Sequence, residues 1–302
     1  MNKIILESYR KVTRMKPAII TDSTAYLSEE LRQLPNVYQV NLNVIFEDGS
    51  IAHDTNDPKE QEAFFKQLET QSSLPTTSQP SVGHYYDTVA QIIEDGYDTI
   101  FAIHLSSGIS GTFQSGKMVL DEYKHLIDSY CIDSLAASVA MEAIIENIIT
   151  WCQEGVDAEE IYRRATWQAT HLDIYLMVEN LDNLAKGGRL STTSAVLGNL
   201  LKIRPLLYFN EEGKIVLFEK LRTNRRVYQR WHELVQKASE EYPDGIEVRF
   251  AHALDQEEVE IIAQGMEAKF PNINIRINGL GTVISTHTGK GAKGMLILPL
   301  IN

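Results

Sequence analysis

Cysteine is nearly absent. The 302 residues hold only Cys131 and Cys152, too few for a disulfide scaffold and at no metal-ligand or redox spacing. They read as two reduced thiols of a cytosolic protein. Basic residues are also scarce, 28 Lys and Arg against 41 Asp and Glu, for a formal net charge of -13. A surface that acidic repels nucleic acid and anionic membranes, which argues against phosphate-backbone binding as the function of the whole chain. No stretch has the apolar length of a membrane span. The longest candidate, "AASVAMEAIIENIITW", is interrupted by Glu142 and Glu146 and reads as an amphipathic helix. The opening "MNKIILESYRKVTR" has too short an apolar core for a secretory signal, so residues 1–14 read as an N-terminal extension ahead of the fold. Internal repeats and low-complexity tracts are missing too. These absences point to a cytoplasmic protein with no stable membrane insertion and no nucleic-acid partner.

What is present is ample core-forming capacity, 43% hydrophobic residues, in an alternating order of elements. "KPAIITDST" is a short apolar run ending in turn and cap residues, a first strand. "SEELRQL" follows as a short helix with Ser28 as N-cap. "VYQVNLNVIFEDGS" alternates apolar side chains from Tyr38 to Phe46 and meets a hairpin signal at Asp48-Gly49. Helical patterns occupy 58 to 70 and 81 to 95. "DTIFAIHL" is a continuous apolar run, as expected of a strand covered on both faces. Residues 111 to 124 read as helix, "LIDSYCID" as strand, and 136 to 171 as two helices broken near Gly155. The pattern predicts an α/β domain over 15–171, a mostly parallel sheet with helices on both faces. From about residue 172 the runs "IYLMVENL", "IRPLLYF", "KIVLFEKL", "IEVRFAHAL" and "INIRING" are strand-like. A hairpin turn at Glu212-Gly213 and helices near 225–240 and 256–269 complete a second, α+β domain over 172–302. No Pro/Gly linker divides the halves, so they are expected to pack tightly and share a cleft.

Ligands of parallel sheets gather at the C-terminal strand ends. Asp22-Ser23-Thr24, Ser106 to Thr112 and Asp133-Ser134 all fall there. Gly111 to Lys117 spells G-x-x-x-x-G-K, a nucleotide-loop pattern, but the next residue is Met118, whose thioether cannot serve Mg²⁺. With Ser110 as the natural N-cap, Gly116 and Lys117 would lie inside the helix, so the match is fortuitous. What remains is a set of hydroxyls and glycines, Ser106, Ser107, Ser110, Gly111 and Thr112, at a helix N-terminus that suits an anion. Capping alone needs one hydroxyl; the surplus favours a site. "LPTTSQPS" adds Thr77 and Ser78 beyond the Pro80 and Ser81 that start a helix. In "STHTGKG", His287 follows an apolar run and is trailed by Gly289 and Gly291. It suits either a structural role or that of a hydrogen-bond partner or base. "LAKGGRLS" sets Arg189 after a glycine helix stop. "EKLRTNRR" concentrates Lys220, Arg222, Arg225 and Arg226, either as a solvated helix start or as a docking spot for an acidic partner.

These clusters, in this order, resemble the DegV family, the fatty-acid-binding subunits of bacterial fatty acid kinase. The matching stretches are "IITDSTAYL", "PTTSQPSVG", "SSGISGTFQS", "CIDSLAAS", "LAKGGRLS", "IRPLLYFNEEGKI", "EKLRTNRR" and "GTVISTHTGKGAKG", spread over nearly the whole chain from Met15. The resemblance implies a two-domain α/β fold with one long-chain fatty acid between the halves and no cofactor. It implies a carboxylate held by Thr77, Ser110, Gly111 and His287, with Ser78, Ser107 and Thr288 beside them. The acid would be presented to a separate ATP-dependent kinase that makes acyl phosphate for phospholipid synthesis, with Arg222 and Arg189 on the docking side. Lys290 stands where family members often have Pro, and Ile109 where they often have Leu. The first departure adds a charge near the head group.

The physics of such a ligand fits the residue types. Each buried CH₂ yields roughly 0.8 kcal/mol, whereas the carboxylate is costly to bury unless several donors meet it. Hydroxyls, a backbone N–H and an imidazole would hold it without a buried counter-charge. The rival reading is a serine hydrolase, with Ser110 or Ser107 as nucleophile, His287 as base and Asp22 or Asp133 as acid. "GISG" is not the nucleophile-elbow pattern of such enzymes.

Overall fold

The computed structural model describes residues 15–191 and 203–301; the extension read at 1–14 lies outside them. Strand β1 (Pro17–Asp22) ends at Asp22, whose carboxylate accepts the Thr24 N–H and opens a single 3-10 turn, Ser23–Ala25. Helix α1 (Glu29–Arg32) is capped by Ser28, as its sequence predicts, and leads to β2 (Val37–Val40). The chain then leaves this sheet. β3 (Asn43–Ile45) pairs antiparallel with β4 (Ile51–His53) and β5 (Thr76–Ser78) in a separate three-stranded sheet. The alternation from Tyr38 to Phe46 therefore belongs to two strands, not one. Val40, Leu42, Val44 and Phe46 are all buried, so the period runs on unbroken through the bend and hides the change of partners.

Helix α2 (Pro58–Glu69) connects β4 to β5, and α3 (Val82–Glu94) follows, capped by Ser81. β6 (Thr99–His104), α4 (Thr112–Tyr123) and β7 (Asp128–Asp133) complete a parallel sheet of order β2-β1-β6-β7. Period-two alternation assigns its faces. Ala18, Ile20, Ile100 and Ala102 meet Tyr85, Val89 and Val119 of α3 and α4. Ile19, Phe101, Ile103 and Ile132 face α5 (Val139–Glu154) and α6 (Ala158–His171).

The second sheet has order β10-β9-β8-β13-β11-β12 and is antiparallel except for β11 with β12. Its strands are β8 (Asp173–Met177), β9 (Arg204–Phe209), β10 (Ile215–Leu221), β11 (Ile246–His252), β12 (Asn274–Gly279) and β13 (Lys293–Pro299). The sequence runs do not single out β13, yet it sits inside the sheet and is paired on both sides. One face carries α8 (Asn224–Glu241) and α9 (Gln256–Lys269), packed through Trp231 and Met266. The other face turns Ile174, Leu176, Leu207 and Leu296 toward α5. Short helix α7 (Asp182–Lys186) packs against α10 (Thr282–Thr288), which lies beside the small sheet. The chain is thus α/β, a parallel sheet followed by a mixed one, with α5 between them. Helix α5 is buried on all sides through its first two turns, where Glu142 is only 2% exposed, and amphipathic after them, with Glu146, Asn147, Thr150, Gln153 and Glu154 on one half-buried to exposed face. The Glu142 charge is met by Arg249 of β11 at 3.2 Å. No helix among the described residues is long and apolar enough to cross a membrane.

Candidate functional site

A cavity of about 380 Å³ lies where the two sheets and the small sheet meet. That volume falls in the ordinary range of small-ligand sites. Its body is apolar, with Leu42, Val139, Leu176, Ile215, Leu280 and Leu296 among the lining residues. Its polar lining residues include Ser138 and the buried Lys293 as well as a group around Thr77 and His287. β5 contributes Thr77 and Ser78, the loop before α4 contributes Ser110 and Gly111, and the last turn of α10 contributes His287 and Thr288. Arg189, from the turn after α7, joins them.

Thr77 Oγ1 and His287 Nε2 are 2.9 Å apart, joining positions 210 residues distant in sequence. The Ser110 hydroxyl accepts the Thr112 N–H at 3.3 Å and lies 2.9 Å from the Thr112 hydroxyl. The N-cap of α4 is Gly111 rather than Ser110, because Ser110 and Thr112 form a local turn one residue earlier. The Gln79 side chain lies over Gly111 while donating to Ser115 at 3.1 Å, so a Cβ at Gly111 would require that amide to move. The Thr288 hydroxyl donates back to Ile284 C=O at 3.1 Å, so its donor is already used. Burial first, and the Arg189 charge second, push His287 from its ordinary 6.5 down to about 4. At neutral pH the imidazole is uncharged, and the tautomer decides whether it donates to or accepts from Thr77.

Arg189 is half-buried. Its Nη1 donates to Gly187 C=O at 2.5 Å and its Nε to Ile109 C=O at 3.3 Å, which aims the guanidinium along the Thr77–His287 part of the cavity. No carboxylate pairs with it among the described residues. A fixed counter-charge therefore stands beside the neutral donors, contrary to the expectation of donors alone. Its signal in the sequence was the single cation between turn residues, and only the fold shows which way it points. Arg189 and His287 also line a hollow on the outer side, with Asn183 and Lys186, so the Thr77–His287 part of the cavity lies close to the surface.

Other candidates are placed elsewhere. Ser107 does not line the cavity; its backbone N–H donates to Asp133 at 3.1 Å, which holds the loop. Ser106 is fully buried and its hydroxyl donates to Gly213 C=O at 2.7 Å, latching the β9–β10 turn onto the first half. Arg222 lies outside the cavity lining, exposed between β10 and α8, and Arg225 is exposed near it. Gly116 and Lys117 sit inside α4, and Lys117 pairs with Asp121 on the exposed face, so no phosphate loop forms.

The arrangement required for a serine nucleophile is not assembled. His287 bonds Thr77, and its Nδ1 faces Gly187 rather than a carboxylate. Asp22 is committed to His104 at 3.1 Å and Leu105 N–H at 2.9 Å. Asp133 is committed to Ser107 and Leu135 N–H groups. No group of three or more His, Cys, Asp or Glu suited to a metal ion occurs among the described residues.

Residues 16–300 match the family model described as an uncharacterised protein of the DegV family. The chain belongs to the DegV family. It is 33% identical over 289 residues to a DegV domain-containing protein of Streptococcus pneumoniae, covering 95% of this chain and 100% of that one. Its fold superposes on a fatty acid binding DegV family protein from Streptococcus agalactiae with a TM-score of 0.87, at 30% identity over 95% of this chain and 100% of the other. DegV from Bacillus subtilis, a fatty acid binding protein, gives 0.83 at 31% identity, with coverage of 95% and 100%. A largely apolar cavity with a group of polar donors around Thr77 and His287 thus occurs here in a family whose solved members include fatty acid binders.

Proposed function

We propose that this chain binds one long-chain fatty acid, with its tail in the apolar cavity and its carboxylate among the polar donors around Thr77 and His287. The observation that carries the reading is the Thr77–His287 bond at the mouth of that cavity, with Ser110, the Gly111 N–H and the Arg189 guanidinium around it. The two similar solved structures named as fatty acid binders support it. The tail supplies hydrophobic energy in proportion to its length, and the head group supplies orientation. Neutral hydroxyls and one cation hold a carboxylate while leaving an oxygen free to react. In this reading the chain is a carrier without cofactor, and its units over 15–171 and 172–302 enclose the ligand between them. The acid is presented to a separate ATP-dependent fatty acid kinase in the cytoplasm, for acyl-phosphate formation and phospholipid synthesis. Arg222 and its exposed neighbour Arg225 offer that partner a basic spot on an otherwise acidic chain.

The deciding experiment is mass spectrometry of small molecules released by denaturing the purified protein. A stoichiometric long-chain fatty acid is expected, and an empty protein that also fails to take up added oleate would sink the proposal. For the partner step, Arg222→Ala is expected to keep oleate affinity within about twofold while slowing acyl-phosphate formation with the kinase. Equal rates over a range of kinase concentrations would remove Arg222 from the docking surface.

A further inference from the structure

Helix α10 is fastened to the small sheet at both ends. Its last turn carries His287, bonded to Thr77 of β5. Its first turn is held by Asp54, the residue that follows β4. Asp54 Oδ1 accepts the Val283 N–H at 2.9 Å and the Thr282 hydroxyl at 3.2 Å. The Tyr26 hydroxyl reaches the same oxygen at 3.3 Å, and Ser23 donates to Oδ2 at 2.9 Å. Val44 of β3 is paired with Thr77 on one side and with Ala52 on the other, so Asp54 stands two residues beyond the row that contains Thr77. Around this point the joint is close. Tyr26 accepts the Ile284 N–H at 3.2 Å, Thr282 N–H donates to Thr55 C=O at 2.9 Å, and the Tyr26 ring fills the space beside Gly281.

We propose that Asp54 is a positioning residue for the head-group site, setting the height of His287 against Thr77 through the first turn of α10, so that its ionisation tightens the hold on an anionic head group. The inference rests on the fatty-acid reading of the cavity. Asp54 does not line that cavity, so it acts only through α10. The groups that face it are Ser23 and Tyr26 from the turn after β1, and Thr282 and the Val283 backbone from α10. Of these only Tyr26 titrates, and burial holds its phenol well above its usual range. Asp22, the next carboxylate along that turn, points to His104 and Leu105 instead. No cation pairs with Asp54 among the described residues, and burial raises it from 3.8 to about 6 in spite of its donors.

The sign of that shift separates position from stability. A carboxyl whose folded pKa is raised contributes most below its unfolded value, and that contribution is lost as pH rises through about 6. At neutral pH the ionised Asp54 therefore costs stability. What ionisation provides is a stronger acceptor for Val283 and Thr282 at the base of the helix that carries His287. Because His287 is pushed down to about 4 in the empty protein, a change in the empty site near pH 6 belongs to Asp54.

The test uses hexadecanesulfonate, whose head group stays ionised throughout, titrated between about pH 7.5 and about pH 5. Wild-type affinity is expected to fall about threefold to tenfold, with a midpoint near 6. Asp54→Asn should bind at the weak level at every pH while melting at or above the wild-type temperature at neutral pH. A flat wild-type profile, or a variant that keeps the wild-type slope, overturns the proposal. A second arm needs neither variant nor ligand: the ¹⁵N shift of His287 Nε2 in the empty protein should inflect near the same pH, and a featureless titration overturns the proposal equally. If neither oleate nor the sulfonate binds at neutral pH while that inflection is present, the fatty-acid reading fails and the coupling of Asp54 to His287 stands.

Discussion

His287 is a neutral imidazole at neutral pH with the fixed cation of Arg189 beside it, and in the proposed site the two would make different demands on substitution. Removing one neutral donor from a carboxylate costs about 1.5 kcal/mol or more, so Thr77→Ala and His287→Ala are each expected to weaken oleate binding about tenfold by calorimetric titration. Arg189→Ala should weaken it further. Arg189→Lys should recover only part, because an ammonium lacks the planar fork that now holds both the Ile109 and Gly187 carbonyls. The imidazole also makes folding acid-sensitive. The unfolded ring takes its proton near 6.5 and the folded one refuses it until about 4, so the stability present above the first value is lost as pH falls to the second. Denaturant titrations of His287→Gln should show a shallower loss over that window. A variant slope equal to that of the wild type would assign the acid sensitivity to other groups.

At the level of elements, the site depends on how closely α7 and α10 approach. Gly187 ends α7 with φ -72, a conformation any residue adopts, yet a Cβ there would stand 2.5 Å from His287 Nδ1. Gly187→Ala is therefore expected to displace the imidazole and cost roughly tenfold in oleate affinity with little change in melting temperature. Unchanged affinity would show that the ring has room to retreat. This packing also marks the limit of what the sequence discloses. The continuous apolar run of β6 and the caps at Ser28 and Ser81 are local signals, and the structure follows them. The surplus hydroxyls at Thr77 and Ser110 are local signals as well. Period-two alternation does not record which sheet a strand joins, which is why β2 and β3 read as one. Nor does hydroxyl content separate Ser110, on the cavity, from Ser107, whose backbone is tied to Asp133. Arg189 is a fixed charge in sequence, and its direction comes only from two carbonyls on different loops.

Over the whole molecule, the cavity exists because the parallel sheet and the mixed sheet are held at a fixed spacing across α5. Apolar packing fills most of that layer, but a buried charge cluster crosses it. Glu142 and Glu146 of α5 reach Arg249 of β11, which also binds Glu247 at 2.9 Å, while Arg276 of β12 bonds Glu146 at 2.7 Å. Arg249 is 1% exposed, so the cluster is desolvated at its centre. Truncating such a cation leaves buried carboxylates facing one another, and Arg249→Ala is expected to cost about 3–5 kcal/mol of stability. Burial already holds the Glu142 carboxyl above its ordinary value, in spite of the Ser28 N–H and the Arg249 charge. Without Arg249 it should take up a proton more readily still, so the cost should shrink as pH is lowered toward about 5. Arg249→Met, which fills the space but pairs nothing, should share that pH dependence. Urea unfolding of both variants at two pH values checks this: a cost that stays constant with pH would mean that packing of the arginine stem, rather than its charge, holds the two sheets at their spacing.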